Sequence, residues 1–360
     1  VNRSDGPAHD PGKEGTPLDT GVQRVLSLPS LVATLRSVVV AGGAEPDERT
    51  RAAVRLLAQL ADSDIPGAHP RDWFGLAPSS TDHPLWTPEK GPVVLSPSNV
   101  DALSKCSLRW LLERSGGRDG DAAPAVTGSL VHTLVQAVAG DLDPDEVTAA
   151  LRGIWDRIDT GAAWFSAREL ERAESMLVHF RDWLRISRAD LTEAGVELPV
   201  DATVPADPGP PDPDRPGSDL DVRLRGRVDR LETDSAGRPV VVDVKTTKSA
   251  ITKADAEGHA QMAAYQVAIA NGGVAALGRT EPGGARLVYV SSPHRSTGAA
   301  ERTQPPLSPE LLDEWIGVVR RAARASVGPE YAATPNPGCV HCRLTTSCPA
   351  QIQGKAVTDD

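Results

Sequence analysis

Cysteine is scarce in this 360-residue chain, which has four. So few exclude a disulfide-built secreted scaffold, and in a reducing compartment they leave thiols for metal ligation or catalysis. No run of about 18 apolar residues occurs, so no segment reads as a membrane span. The first 21 residues, VNRSDGPAHDPGKEGTPLDTG, are polar and rich in Pro and Gly, without the apolar stretch of a secretory signal. A cytoplasmic location is expected. No G-x₄-G-K-[ST] stretch is present, so the chain carries no phosphate-binding loop of that kind. There is no internal repeat. The formal net charge is −11, which argues against a uniformly basic nucleic-acid binder but leaves room for a local basic patch.

What is present is the composition of a globular chain, long enough for a sizeable core and two domains. It begins with Val rather than Met and is expected to be a piece of a longer polypeptide. Residues 1–21 are expected to be disordered. Residues 22–92 read as a helical extension and linker, with VQRVLSLPSLVATLRSVVVAG and PDERTRAAVRLLAQLADSDI at helical spacing and an irregular Pro-rich stretch after them. A compact domain is expected over 93–355, with a core-less Pro/Asp loop at 205–219. Its first helix spans LSPSNVDALSKCSLRWLLERSGG and ends on Gly-Gly. GSLVHTLVQAVAG, 145–159 and 166–191 also read as helices. LDVRLRGRVDRLET and PVVVDVKTT read as strands, followed by a helix at 256–271, a strand at 285–291 and a helix at 308–326. The order α-β-β-(β)-α-β makes the class α/β.

The two strands form a hairpin around DSAGR. Side chains alternate along a strand, so Asp229 shares its face with Arg223, Arg225 and Arg227. Val240, Val242 and Val244 share one face of the next strand, Asp243 and Lys245 the other. A turn centred on Ala236 pairs residues whose numbers sum to 472, which sets Asp229 opposite Asp243. Like charges so placed destabilise a sheet. A shared proton or a divalent cation such as Mg²⁺ offsets the repulsion. A metal, an ammonium and a row of arginines suit a phosphate attacked by water. A solvated face of mixed charge is the plainer reading of any single D-x-K.

Glu257, Gln261 and Tyr265 fall at i, i+4 and i+8, on one stripe of the 256–271 helix. Gln and Tyr can orient a phosphate or a water; a solvent-facing helix edge is the alternative. His132, amid apolar residues in GSLVHTLVQ, reads by itself as a core histidine.

Taken in order, GSLVH, GRVDR, DVKTT and QMAAY resemble the motifs of the RecB-like nuclease domain of the PD-(D/E)XK superfamily, over about residues 93–350. The resemblance implies a restriction-endonuclease-like core, a central mixed sheet flanked by helices, here with a helical N-terminal extension. It implies that His132, Asp229, Asp243 and the carbonyl of Val244 bind Mg²⁺ or Mn²⁺. Lys245 would position or activate the attacking water, and Gln261 and Tyr265 would support the site and the DNA backbone. Asp stands where the pattern allows Asp or Glu, and no motif residue is missing, so an active deoxyribonuclease, of exonuclease type, is implied.

Three of the four cysteines, Cys339, Cys342 and Cys348, lie within ten residues, and a gap of 232 residues separates Cys106 from that group. This C…C-x₂-C-x₅-C arrangement resembles the iron–sulfur staple of AddB-type nucleases. It implies a [4Fe–4S] cluster joining the start of the domain to its end. A structural zinc site is the alternative, to which His341 could also contribute. GAHPRDWFGLAP ahead of LSPSNVDALSKCSLRWLLE resembles the junction in actinobacterial AdnAB helicase–nucleases. The partners thus implied are DNA and a helicase motor, in the same full-length polypeptide or in a partner subunit, acting in end resection and recombinational repair. No membrane partner is expected. The competing readings are a non-catalytic DNA-binding module and a structural iron–sulfur or zinc module of a repair complex.

Overall fold

The computed structural model describes residues 28–41, 47–73, 83–117, 143–155, 157, 162–208, 212, 214–274 and 277–351. The helix expected around His132 lies outside them, as do residues 1–27. The chain divides into two compact units between Ser80 and Thr81.

The first unit contains α1 (Leu28–Ala41) and α2 (Glu48–Asp62). Asp47 caps α2 by accepting from the Thr50 N–H, satisfying one of the donors that a helix start leaves open. Val32, Leu57 and Ala68 form its small core.

The second unit begins with β1 (Val93–Leu95), α3 (Pro97–Lys105) and α4 (Ser107–Arg114). The single helix expected over 95–117 is therefore two. Cys106 breaks it with extended backbone (φ −166°, ψ 111°), ending α3 and capping α4 through Sγ, which accepts from the Arg109 N–H. Then come α5 (Pro144–Trp155), α6 (Ala163–Ser187), β2 (Thr192–Val204), β3 (Val222–Thr233) and β4 (Pro239–Lys245). They are followed by α7 (Lys253–Glu257), α8 (Ala260–Ala270), β5 (Ala285–His294), β6 (Gly298–Gln304) and α9 (Pro309–Val327). The helix expected over 256–271 is also broken, at Gly258 and His259. Glu257 thus belongs to α7 and leaves the stripe it was expected to share with Gln261 and Tyr265.

The six strands form one mixed sheet in the order β1-β3-β4-β5-β6, with β2 also paired to β3. Pairs β1/β3 and β4/β5 are parallel; β2/β3, β3/β4 and β5/β6 are antiparallel. Strand β3 is the axis. Along one edge β2 pairs with it from Val222 to Thr233. On the other edge β1 takes Val222–Leu224 and β4 takes Arg230–Thr233. Among the described residues no strand pairs with 225–229 on that second edge, so the sheet forks there.

The two sheet faces bury different sets. Val240, Val242, Val244, Val288 and Val290 pack with Met176, Phe180 and Trp183 of α6. Val241, Leu287 and Tyr289 pack with Met262, Ala264 and Tyr265 of α8. This is the alternation expected of strands covered on both sides. It directs Asp243 and Lys245 to the α8 side.

Candidate active site

The β3–β4 ladder runs from Arg230↔Val242 to Thr233↔Pro239, every pair summing to 472, as the turn chemistry of DSAGR requires. Asp234 supports the turn, its carboxylate accepting from the N–H groups of Ala236 and Arg238. The ladder stops one pair short of Asp229 and Asp243. Past that point the Val244 N–H donates to Asp229 Oδ2 at 2.9 Å rather than to a backbone carbonyl. The fork thereby turns the carboxylate of Asp229 toward the end of β4.

Asp243 is buried, with its side chain 8% exposed. Its Oδ1 accepts from Gln261 Nε2 at 3.1 Å. Its Oδ2 lies 2.6 Å from Lys245 Nζ, yet no hydrogen bond of acceptable direction reaches it. Gln261 Oε1 is 3.4 Å from the same ammonium. Both ends of the Gln261 amide are therefore engaged, which fixes its orientation between acid and base. Tyr265, one turn on along α8, donates to the Arg227 carbonyl at 2.7 Å, on the stretch of β3 that the fork leaves without a second strand. Burial first, then the charges of Asp243 and Asp229, push the Tyr265 phenol well above its ordinary pKa. It stays protonated and remains a donor.

The structure thus brings together Asp229, Asp243, Val244, Lys245, Gln261 and Tyr265. His132 lies outside the described residues. The arginine row is less available than its spacing implied: Asp201 grips Arg223 through two hydrogen bonds, and Glu197 meets Arg227 at 3.3 Å. Both acids stand on β2, a strand the sequence pattern did not reveal.

His259, at the start of α8, is the residue that pattern reading missed. Its Nδ1 is buried with no hydrogen-bond partner among the described residues. Burial lowers the imidazole pKa; Asp101 and Asp243 act to raise it and Lys245 and Lys105 to lower it further. His259 therefore stands between α3 and the acid–lysine pair. Its nearness to Gln261 in GHAQ was the available signal, hidden by the unforeseen helix break.

Two carboxylates, one with a buried oxygen lacking a directed donor, and an adjacent backbone carbonyl are a donor set suited to a hard divalent cation. Among the described residues no three His, Cys, Asp or Glu side chains converge on one metal position. The described residues therefore supply two carboxylates, and further ligation must come from backbone, water or residues outside them.

The four cysteines lie elsewhere in the same unit. Cys106, Cys339, Cys342 and Cys348 all line one pocket, together with Leu108, Leu112 and Leu344, and all are free thiols. The C-terminal segment is drawn to this point by protein contacts as well. Leu108 N–H and Ser107 Oγ donate to the Ala332 carbonyl, and Asn336 Nδ2 donates to that of Lys105. His341 is exposed and does not line the pocket.

The sequence profile of the PD-(D/E)XK nuclease superfamily matches residues 94–349. The chain belongs to that superfamily, whose members are nucleases that generally act with divalent metal ions such as Mg²⁺. No curated protein matches the chain. The solved structure of SSO0001 aligns with 83% of this chain and 96% of its own, at 12% identity and a TM-score of 0.31. That likeness is too slight to carry an argument. Among the described residues no helix is long and apolar enough to cross a membrane.

Proposed function

We propose that the chain is a Mg²⁺- or Mn²⁺-dependent deoxyribonuclease of RecB-like type, with Asp229, Asp243 and the Val244 carbonyl holding the metal and His132 completing its ligation. The observation that carries the reading is the linked set Asp243–Gln261–Lys245 at the end of β4, beside Asp229 within β3. A bound divalent ion there supplies Lewis-acid polarisation of the scissile phosphate and lowers the pKa of water. Lys245, 29% exposed, can reach solvent while staying tied to Asp243. Its ammonium positions the attacking water and stabilises charge developing on the phosphate. Gln261 holds acid and lysine in register. Tyr265 acts on the framework, because its hydroxyl is committed to β3.

The finer assignment follows the same logic. Cysteines from the two ends of the domain line one pocket, which supports a [4Fe–4S] staple with four-cysteine zinc as the rival, although among the described residues no three of them converge on one metal position. The nuclease would serve as a module of a helicase–nuclease that resects DNA ends during double-strand break repair, its motor lying in another part of the polypeptide or in a partner subunit. The test is an assay on end-labelled single- and double-stranded DNA with and without Mg²⁺ or Mn²⁺. Metal-dependent cleavage by the wild type and none by Asp243→Ala is expected. Equal cleavage by both would remove the site.

A further inference from the structure

The segment that follows Lys245, TTKSAIT, joins β4 to α7 without regular structure, yet it is fastened from three neighbouring elements. The Thr246 carbonyl accepts from Arg172 Nη2 of α6 at 2.8 Å and from Ser291 Oγ of β5 at 2.7 Å. The Lys248 carbonyl accepts from Ser292 Oγ at 3.0 Å. The Ile251 carbonyl accepts from Arg302 Nε of β6 at 2.6 Å. Ser291 and Ser292 can reach the loop because the β5–β6 ladder shifts register between Tyr289 and Pro293, leaving both outside it. Loops more often expose such carbonyls to water; here side chains hold them.

With those carbonyls held, the loop shows solvent its side chains. Thr247, Lys248, Ser249 and Lys253 are exposed, as is Thr252, whose hydroxyl is taken up by the cap of α7. The chain has only seven lysines, against thirty-eight Lys and Arg in total, and three of the seven are Lys245, Lys248 and Lys253. No carboxylate occurs from 246 to 254, in a chain whose net charge is −11. The next acid, Asp255, is engaged by Thr252 in the cap of α7. A fixed backbone presenting hydroxyls and flexible ammoniums is the chemistry that grips phosphate oxygens without reading bases.

We propose that residues 247–253 form a binding surface for the phosphodiester backbone of nucleic acid, continuous with Lys245 and holding the strand beside the scissile phosphate. The proposal rests on the nuclease reading for the position of that phosphate, but its test does not require cleavage. Binding of a fluorescein-labelled oligonucleotide to the full chain in EDTA is measured across a salt series, for the wild type, Lys248→Gln/Lys253→Gln and Arg185→Gln. Arg185 is an exposed residue of α6, and its variant removes one positive charge against the double variant's two, so it controls for charge per residue removed. Loss of two phosphate contacts lowers the slope of log affinity against log salt by about 1.8 on duplex and about 1.4 on single strands. The double variant should show that drop and roughly tenfold weaker binding, while Arg185→Gln keeps the wild-type slope. An unchanged slope in the double variant, or an equal drop in Arg185→Gln, overturns the proposal. A wild type that binds with the expected slope but never cuts with Mg²⁺ or Mn²⁺ overturns the nuclease reading and leaves this surface standing.

Discussion

Strands β3 and β4 carry charge on both faces, and the two faces handle it differently. On the α8 side stand Asp229, Asp243 and Lys245, two negative charges and one positive. On the other side Arg230 and Glu232 are sealed, at 3% and 0% exposure. Arg230 donates to Glu232 and to Glu193 of β2, and Arg188, following α6, meets Glu232 at 2.6 Å. That set of two arginines and two glutamates sums to zero. The network is balanced in charge, although Arg230 Nη1 and Glu232 Oε2 are buried without a hydrogen-bond partner among the described residues, and it serves to fix register and docking. The opposite face sets two carboxylates beside one ammonium, with Lys245 Nζ 2.6 Å from Asp243 Oδ2, a donor set that suits a cation. On the proposed function, the difference separates a structural from a functional use of charge on the same hairpin.

The sharpest way to break this comparison is to neutralise each face in turn. Asp243→Asn balances the α8 face and should lower cleavage by roughly 10²–10³-fold or more, the range for losing a preorganised charge contact. The metal-free protein should lose little stability, and the rise in Tm on adding Mg²⁺ should vanish. Glu232→Gln should do the reverse, costing about 3–5 kcal/mol in urea unfolding because it removes the buried partner of Arg230, while the folded fraction keeps its turnover. If both variants lose stability equally, the two faces do not differ in kind.

A smaller effect is expected at the cysteine pocket. Cys106→Ala should lower Tm, with turnover at permissive temperature largely kept, because no thiol reaches the Asp243–Lys245 pair. Brown protein with about four irons per chain, prepared anaerobically, supports the cluster; colourless protein with about one zinc supports the rival site.

The smallest effect concerns His259. Its folded pKa lies below the unfolded value near 6.5, so the unfolded chain binds more protons between the two values. The stability this residue contributes is present above about pH 6.5 and is lost as pH falls toward the folded pKa. Wild type minus His259→Gln stability, measured from pH 7.5 to 5, should therefore shrink with acid. A difference that grows with acid would reverse the assignment.

Local chemistry made the hairpin legible. A five-residue turn and a two-residue alternation are enough to set the 472 register and to separate Asp243 and Lys245 from the valines. Strand β2 was not legible, because Gly195 and Pro199 interrupt its pattern and its register slips between Glu193 and Gly195. The break before α8 was equally hidden, since its cause lies on β6. Gln304 Nε2 contacts the carbonyls of Ala256, Glu257 and His259, and its Oε1 accepts from Gln266. A buried amide some forty-five residues away thus decides where the helix carrying Gln261 begins. Gly258 signals locally where α7 ends, but no local propensity sets where α8 begins.

The fork in β3 has a consequence for the order of assembly. Asp229, Asp243 and Lys245 sit on a hairpin whose turn closes five residues, at about 1.4 kcal/mol of length-dependent chain entropy. Pairing β1 with the start of β3 joins Leu95 to Leu224 and closes a loop at about 4 kcal/mol on the same scale. Asp229 and Asp243 can therefore meet early, by a short and rapid search. The arm of the fork that carries α3 and Cys106 closes later, once distant parts of the chain have come together.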